Sequence, residues 1–285
     1  MNGKVAILVP TYSGHKEHFQ RFYQSYLEKR IQADLWVVLS EESDAEFCEG
    51  AGILLLPEMY AKNTRRGIIN QKKFYGLLRL KDQYDYILVV DDDAVFRTEA
   101  NLYQICKGYF QNRILYGNHA TDTTIAPKVI DSCMAFFTPR EQTDFKNSEG
   151  GLYLWYNQPS IYASGTLDDF FRVTQVDKKL AELTWYDFDY YIYMIYLVLH
   201  QGFTIRDIGV TAPFGVCEAL GKKECGRLHR KKILRCRFLQ LTEYMAKRLM
   251  DTEHFLTIHV DRKYSPDGRL TRIRRRLIAI LKGKS

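Results

Sequence analysis

The stretch Tyr86-Ile87-Leu88-Val89-Val90-Asp91-Asp92-Asp93 decides how the rest of the chain is read. Its apolar, largely β-branched part is too short to prefer a helix and reads as a buried strand. Three carboxylates stand where that strand should run out. Adjacent like charges repel, so the cluster is costly unless something positive neutralises it. A hard divalent cation with oxygen ligands, carrying a phosphorylated substrate, is the natural neutraliser. Side chains alternate along a strand, so Asp91 and Asp93 are expected on one face and Asp92 on the other. The plain alternative is a solvated acidic turn.

Working back toward the N-terminus, three strand–helix units precede this stretch. Lys4 to Val9 is a strand stopped by Pro10 and a Thr11-Tyr12-Ser13-Gly14 turn. A helix is expected over about 15–30, with Phe19, Phe22, Tyr23, Tyr26 and Leu27 as its inward stripe. Leu35 to Leu39 is a second strand ending in Ser40-Glu41-Glu42-Ser43-Asp44, and Ile53 to Leu56 a third. A basic helix over about Ile68 to Leu80 then leads into the acidic strand. Nearly all-apolar strands alternating with helices imply an α/β fold, its parallel sheet covered on both faces. Ligands of such sheets bind beyond the carboxyl ends of the strands. One rim should therefore carry Pro10-Thr11-Tyr12, the Ser40–Asp44 turn and Asp91–Asp93.

Downstream, a helix near 99–110, a strand near 114–116, a buried strand over Val129 to Phe137 and a strand at Phe203-Thr204-Ile205 complete the core. Residues 139–165 read as aromatic, glycine-containing loops, Trp155 among them, suited equally to walling an acceptor or to plain packing. Asp168-Asp169 and Trp185-Tyr186-Asp187-Phe188-Asp189 follow, the latter opening an aromatic helix that ends at His200. Residues 1–221 are read as one catalytic domain, 1–120 forming a nucleotide-binding half and 121–221 an acceptor-binding half. Residues 222–285 form a basic helical tail.

Charge is segregated. Residues 222–285 hold 19 Lys and Arg against 6 Asp and Glu, a balance of +13. The whole chain carries +7, so residues 1–221 carry −6. Leu234, Phe238, Leu241, Met245 and Leu249 recur at helical spacing, and Leu270, Ile273, Leu277 and Leu281 form an apolar stripe among arginines. A cationic amphipathic helix of this kind suits an anionic membrane surface. Nucleic acid is not expected, because no reading module or interleaved aromatics accompany the basic residues. No apolar run approaches the roughly 18 residues of a membrane span. Six cysteines lack framework spacing and a CxxC pair, which fits a reducing compartment. The expected location is the cytoplasm, with peripheral attachment to the inner face of the membrane.

A first strand ending in Val-Pro-Thr-Tyr, a parallel sheet and a hydrophobic strand ending in Asp-Asp-Asp resemble the GT-A class of sugar-nucleotide-dependent glycosyltransferases. Bacterial inverting enzymes that build surface polysaccharides are the nearest likeness, over roughly residues 4–210. The resemblance implies a GT-A (Rossmann-like), mostly parallel sheet flanked by helices. It implies a nucleotide-sugar donor, UDP-sugar favoured, with Mn²⁺ or Mg²⁺, and a saccharide or lipid-linked saccharide acceptor. Pro10, Thr11, Tyr12 and Glu41 would meet the nucleobase, and Lys72 or Lys73 the diphosphate or ribose. Asp91 would face the ribose and contribute to the metal site, Asp93 would bind the metal, and Asp92 would complete the nucleotide site. Asp187 or Asp189 would be the catalytic base, with Asp189 favoured slightly, and Asp168, Asp169, Trp155 and Trp185 would touch the acceptor.

Two rivals use the same residues. Asp91-Asp92-Asp93-Ala94-Val95 also fits the nucleophile strand of haloacid-dehalogenase-like phosphatases, with Asp91 attacking. A non-catalytic sugar-nucleotide or carbohydrate-binding protein at the membrane surface would bind UDP without turnover.

Overall fold

The computed structural model describes residues 3–61, 67–96, 99–117, 126–149, 154, 160–207, 240–242 and 257–259. Its centre is a five-stranded sheet in the order β3-β2-β1-β4-β7. These strands are β1 (Val5–Pro10), β2 (Asp34–Leu39), β3 (Gly52–Leu55), β4 (Tyr86–Val89) and β7 (Ser160–Ala163). The first four run parallel, and β7 is antiparallel to β4, with Val89 opposite Ser160 and Tyr86 opposite Ala163. Every residue of β1 is buried, as a central strand covered on both faces requires. The architecture is thus α/β, with a mostly parallel sheet flanked by helices.

α1 (Lys16–Glu28) buries Phe19, Phe22 and Ser25. α3 (Ile68–Leu80) packs against β1 at Gly76, where an added Cβ would lie 2.5 Å from a Leu8 methyl. That close approach brings the first turns of α3 onto the strand ends. α2 (Glu58–Ala61) precedes α3, and α4 (Leu102–Asn112) follows the acidic turn. β6 (Ile114–Gly117) pairs in parallel with β8 (Thr204–Asp207) in a separate two-stranded sheet.

Three expectations change. Residues 126–134 form helix α5 (Ala126–Met134), where a buried strand was expected. Val129, Cys133, Met134 and Phe137 are buried at spacings of four, one and three, a helical stripe that outweighs the β-branched content. The segment expected to be loops contains α6 (Pro139–Glu149) and β7, and α7 (Ser164–Thr174) starts at its end. Trp155 lies outside the described residues, as does nearly all of the tail. Six tail residues are described, and all are strand: β9 (Gln240–Thr242) and β10 (Thr257–His259). β10 pairs with β9 and, antiparallel, with β5 (Ala94–Phe96). Residues 240–242, expected inside a helix, instead satisfy their main chain through this ladder, and tail and body share a sheet. Among the described residues no helix is long and apolar enough to cross a membrane.

Candidate functional site

Pro10, Leu39 and Val89 end three neighbouring parallel strands on one side of the sheet. Beyond them opens a cavity of about 550 Å³, lined by Pro10, Thr11, Tyr12, His15, Glu41, Asp44, Lys72, Lys73, Asp91, Asp92, Asp93, Trp185 and Asp189, among others. The strand-end rule thus gathers residues from five separate stretches of sequence. Its volume falls in the range of small-molecule and cofactor sites.

The acidic triplet does not continue the strand. β4 stops at Val89, and Asp91–Asp93 form a turn closed by the Ala94 amide donating to the Asp91 carbonyl at 3.1 Å. Two-residue alternation therefore does not sort the three carboxylates; their partners do. Asp92 is buried, accepts from the Thr11 hydroxyl at 2.6 Å and lies 2.9 Å from His15 Nδ1. Burial pushes its carboxyl up, and Thr11 and His15 pull it back. Asp92 thus ties the β4 turn to the β1 turn. Asp91 Oδ1 pairs with Lys73 Nζ at 3.0 Å, and Asp93 borders the cavity.

Four consecutive polar side chains of α3 are buried, each on a different task. Asn70 donates to the Thr184 carbonyl at 2.9 Å and Gln71 to the Leu180 carbonyl at 2.7 Å, fixing the segment before α8 (Asp189–His200). Lys72 donates to the Thr11 carbonyl at 2.6 Å. Burial pulls its ammonium down to about 8, against the opposing pull of Asp44, Asp92 and Glu41. Lys73 sits between Asp91 and Asp189, 3.0 and 3.4 Å away. Burial works against its charge, but those two carboxylates outweigh it and hold it well above the usual lysine range.

The structure separates the two carboxylates that sequence left open. Asp187 precedes α8 and does not line the cavity. Its Oδ1 accepts from Ser132 at 2.5 Å and its Oδ2 from the Thr184 amide and hydroxyl at 2.6 and 2.9 Å. Asp189 begins α8, is fully buried and lines the cavity. Its Oδ2 accepts from the Tyr162 hydroxyl at 2.5 Å. Its Oδ1 faces Lys73 and accepts no hydrogen bond among the described residues.

Asp168 and Asp169 are not part of this site. Because β7 runs against β4, the chain reaches α7 at the opposite rim, where the Ser164 amide donates to the Asp85 carbonyl. Asp168 there is exposed and paired with Lys81 at 2.8 Å, while Asp169 accepts from Tyr196 at 2.8 Å and pairs with Arg172. Asp168→Asn is expected to cost no more than about 1 kcal/mol of stability, as surface ion pairs contribute little; urea unfolding checks it.

His15 is an addition that sequence reading did not assign to the site, and Asp44 was placed on the rim only as part of the Ser40–Asp44 turn. His15 packs on Tyr12 with ring centroids 4.6 Å apart. Buried Asp44 accepts from the Ser13 amide at 3.1 Å. The only sequence signal for either was proximity to an expected strand end.

Among the described residues no group of three or more His, Cys, Asp or Glu is arranged to hold a metal. Asp91 and Asp93 nevertheless offer hard oxygen donors at the cavity. A Mg²⁺-like ion fits such a pair, since it is commonly held by one or two carboxylates plus substrate phosphates and water. Among the described lining residues, six carboxylates (Glu41, Asp44, Asp91, Asp92, Asp93, Asp189) stand against two lysines, an electrostatic reason for a cation there. No protein-family model matches the chain, and no curated protein matches it.

Proposed function

We propose that the protein is a GT-A glycosyltransferase that moves a sugar from a nucleotide-sugar donor, UDP-sugar favoured, to a saccharide or lipid-linked saccharide. The observation that carries this reading is the convergence of the Pro10–Tyr12 turn, the Asp91–Asp93 turn and Asp189 on one cavity at the strand ends. Tyr12 and Glu41 would receive the base, and Asp91 and Asp93 the divalent cation. When bound, such a cation acts as a Lewis acid that offsets the charge of a departing diphosphate.

The remaining chemistry belongs to the protein. Asp189 takes the proton of the acceptor hydroxyl as its oxygen bonds to the anomeric carbon and the bond to the diphosphate breaks. Oδ1 is the oxygen with capacity left for that proton, since Oδ2 already accepts from Tyr162. A base opposite the leaving group corresponds to inversion. Trp185 supplies an aromatic wall for the acceptor sugar. The basic tail would hold the enzyme against an anionic membrane on its cytoplasmic side.

The phosphatase reading gains nothing from the geometry. Gly165-Thr166-Leu167 lies in α7 at the far rim, and Asp91 is engaged by Lys73.

A thermal-shift screen of UDP-, GDP-, CMP- and dTDP-sugars with Mn²⁺ tests the proposal. One donor class is expected to raise the melting temperature, by about 2–4 °C for each kcal/mol of binding. Asp93→Asn is expected to remove the shift. No shift with any donor, or a shift indifferent to Asp93→Asn, would count decisively against this reading.

A further inference from the structure

Lys73 joins the two halves of the site by charge. Its ammonium lies 3.0 Å from Asp91 Oδ1 in the β4 turn and 3.4 Å from Asp189 Oδ1 at the start of α8. Its side chain is 10% exposed and that of Asp189 1%, so water cannot neutralise either group if the other leaves. Neither side is free to drift. Asn70 and Gln71, on the same turn of α3, are bonded to the Thr184 and Leu180 carbonyls, and Tyr162 holds the second oxygen of Asp189.

We propose that Lys73 is a positioning residue, a charged strut whose sharing between Asp91 and Asp189 sets the cation affinity of the Asp91–Asp93 turn. The inference rests on the reading that this turn holds a divalent cation. While Asp189 is ionised, Lys73 is divided between two carboxylates and Asp91 keeps part of its negative field for a cation. With a neutral residue at 189, Lys73 belongs to Asp91 alone and the pull on a cation falls. With a neutral residue at 73, the pull rises. The two members of this ion pair thus act on cation binding with opposite signs. A lysine that merely completed the packing would weaken binding from either side.

The test titrates Mn²⁺ alone into the full chain, followed by electron paramagnetic resonance of free Mn²⁺. Omitting nucleotide removes any direct contact of Lys73 with phosphate from the result. Asp189→Asn is expected to bind Mn²⁺ about tenfold more weakly than wild type, and Lys73→Met about tenfold more tightly, for a unit charge near a dication in partly buried surroundings. Lys73→Arg keeps the charge and should restore wild-type affinity. The double variant Lys73→Met/Asp189→Asn removes one charge of each sign and should return within about threefold of wild type.

Melting curves identify any variant that fails to fold. If Lys73→Met does, the Asp189→Asn and double variants still decide, because the double variant strands no charge on either residue. Asp189→Asn within twofold of wild type, or both single variants weaker, overturns the strut. Wild type that binds no Mn²⁺ even when UDP is added, or binds it equally well as Asp93→Asn, overturns the cation reading itself and the strut with it.

Discussion

Asp189→Asn is expected to slow sugar transfer about 100- to 10,000-fold at saturating donor and cation, the range contributed by a positioned general base. Asparagine has nearly the same shape and its side-chain oxygen can still accept from Tyr162, while Lys73 retains Asp91, so the fold should hold. What is lost is the capacity of Oδ1 to take a proton. Asp187→Ala is the matched control, two residues away but outside the cavity. It strands three donors, the Ser132 hydroxyl and the Thr184 amide and hydroxyl. Buried donors left without acceptors cost about 1–3 kcal/mol each before relaxation, so a stability loss of about 2–3 kcal/mol is expected. Transfer per folded molecule should stay near wild type. Steady-state rates combined with urea unfolding separate the two outcomes. Equal rate losses in both variants would sink the assignment of the base to Asp189.

The contrast between these carboxylates shows what the sequence could and could not carry. β1 to β4, α3 and α8 were legible because their signals are local: short apolar runs, terminating prolines, and a helical stripe into His200. Their shared rim followed from the parallel order alone. The direction of β7 was not legible, since four residues, Ser160-Ile161-Tyr162-Ala163, pair equally well either way by pattern. That direction sends Asp168 and Asp169 to the far rim, so a motif likeness placed them wrongly. α5 was misread because Val129 and Ile130 drew attention to β propensity, although the spacing of Cys133, Met134 and Phe137 is helical. The tasks of Asn70, Gln71, Lys72 and Lys73 were hidden for a different reason. A polar run on a helix normally means a solvated face, and only the tertiary fold shows that α3 is buried all round at this end.

Alkaline pH offers a second large effect, in which two kinds of buried group oppose each other. Burial pushes Cys48 and Cys106 up to about 12 and Cys133 well above the ordinary thiol value of 9.0, with Asp44 and Asp92 adding to the shift at Cys48. A group whose value is raised by folding stabilises fully below its unfolded value and loses that contribution as pH rises. Each thiol should therefore lose about 1 kcal/mol by pH 10. Lys72 works in the other direction. Its value falls from 10.5 unfolded to about 8 folded, so between these limits the unfolded chain binds more protons and stability rises with pH. That gain is about 2 kcal/mol by pH 10. Buried tyrosines, raised from 10.0, begin to take stability away as the unfolded phenols ionise near pH 10, whereas Lys73, raised from 10.5, does so mainly beyond this window. The net expectation from pH 7 to 10 is a loss in wild type that becomes deeper by about 2 kcal/mol in Lys72→Met. Cys106→Ser should make the wild-type loss shallower by about 1 kcal/mol. Urea unfolding at the two pH values, with reductant present to prevent thiol oxidation, measures all three. The change with pH is the readout, because Lys72→Met also shifts the baseline by leaving Asp44 and Asp92 without their cation. Equal pH dependence in wild type and Lys72→Met would mean that the Lys72 ammonium keeps its charge across the window, with Asp44, Asp92 and Glu41 outweighing its burial.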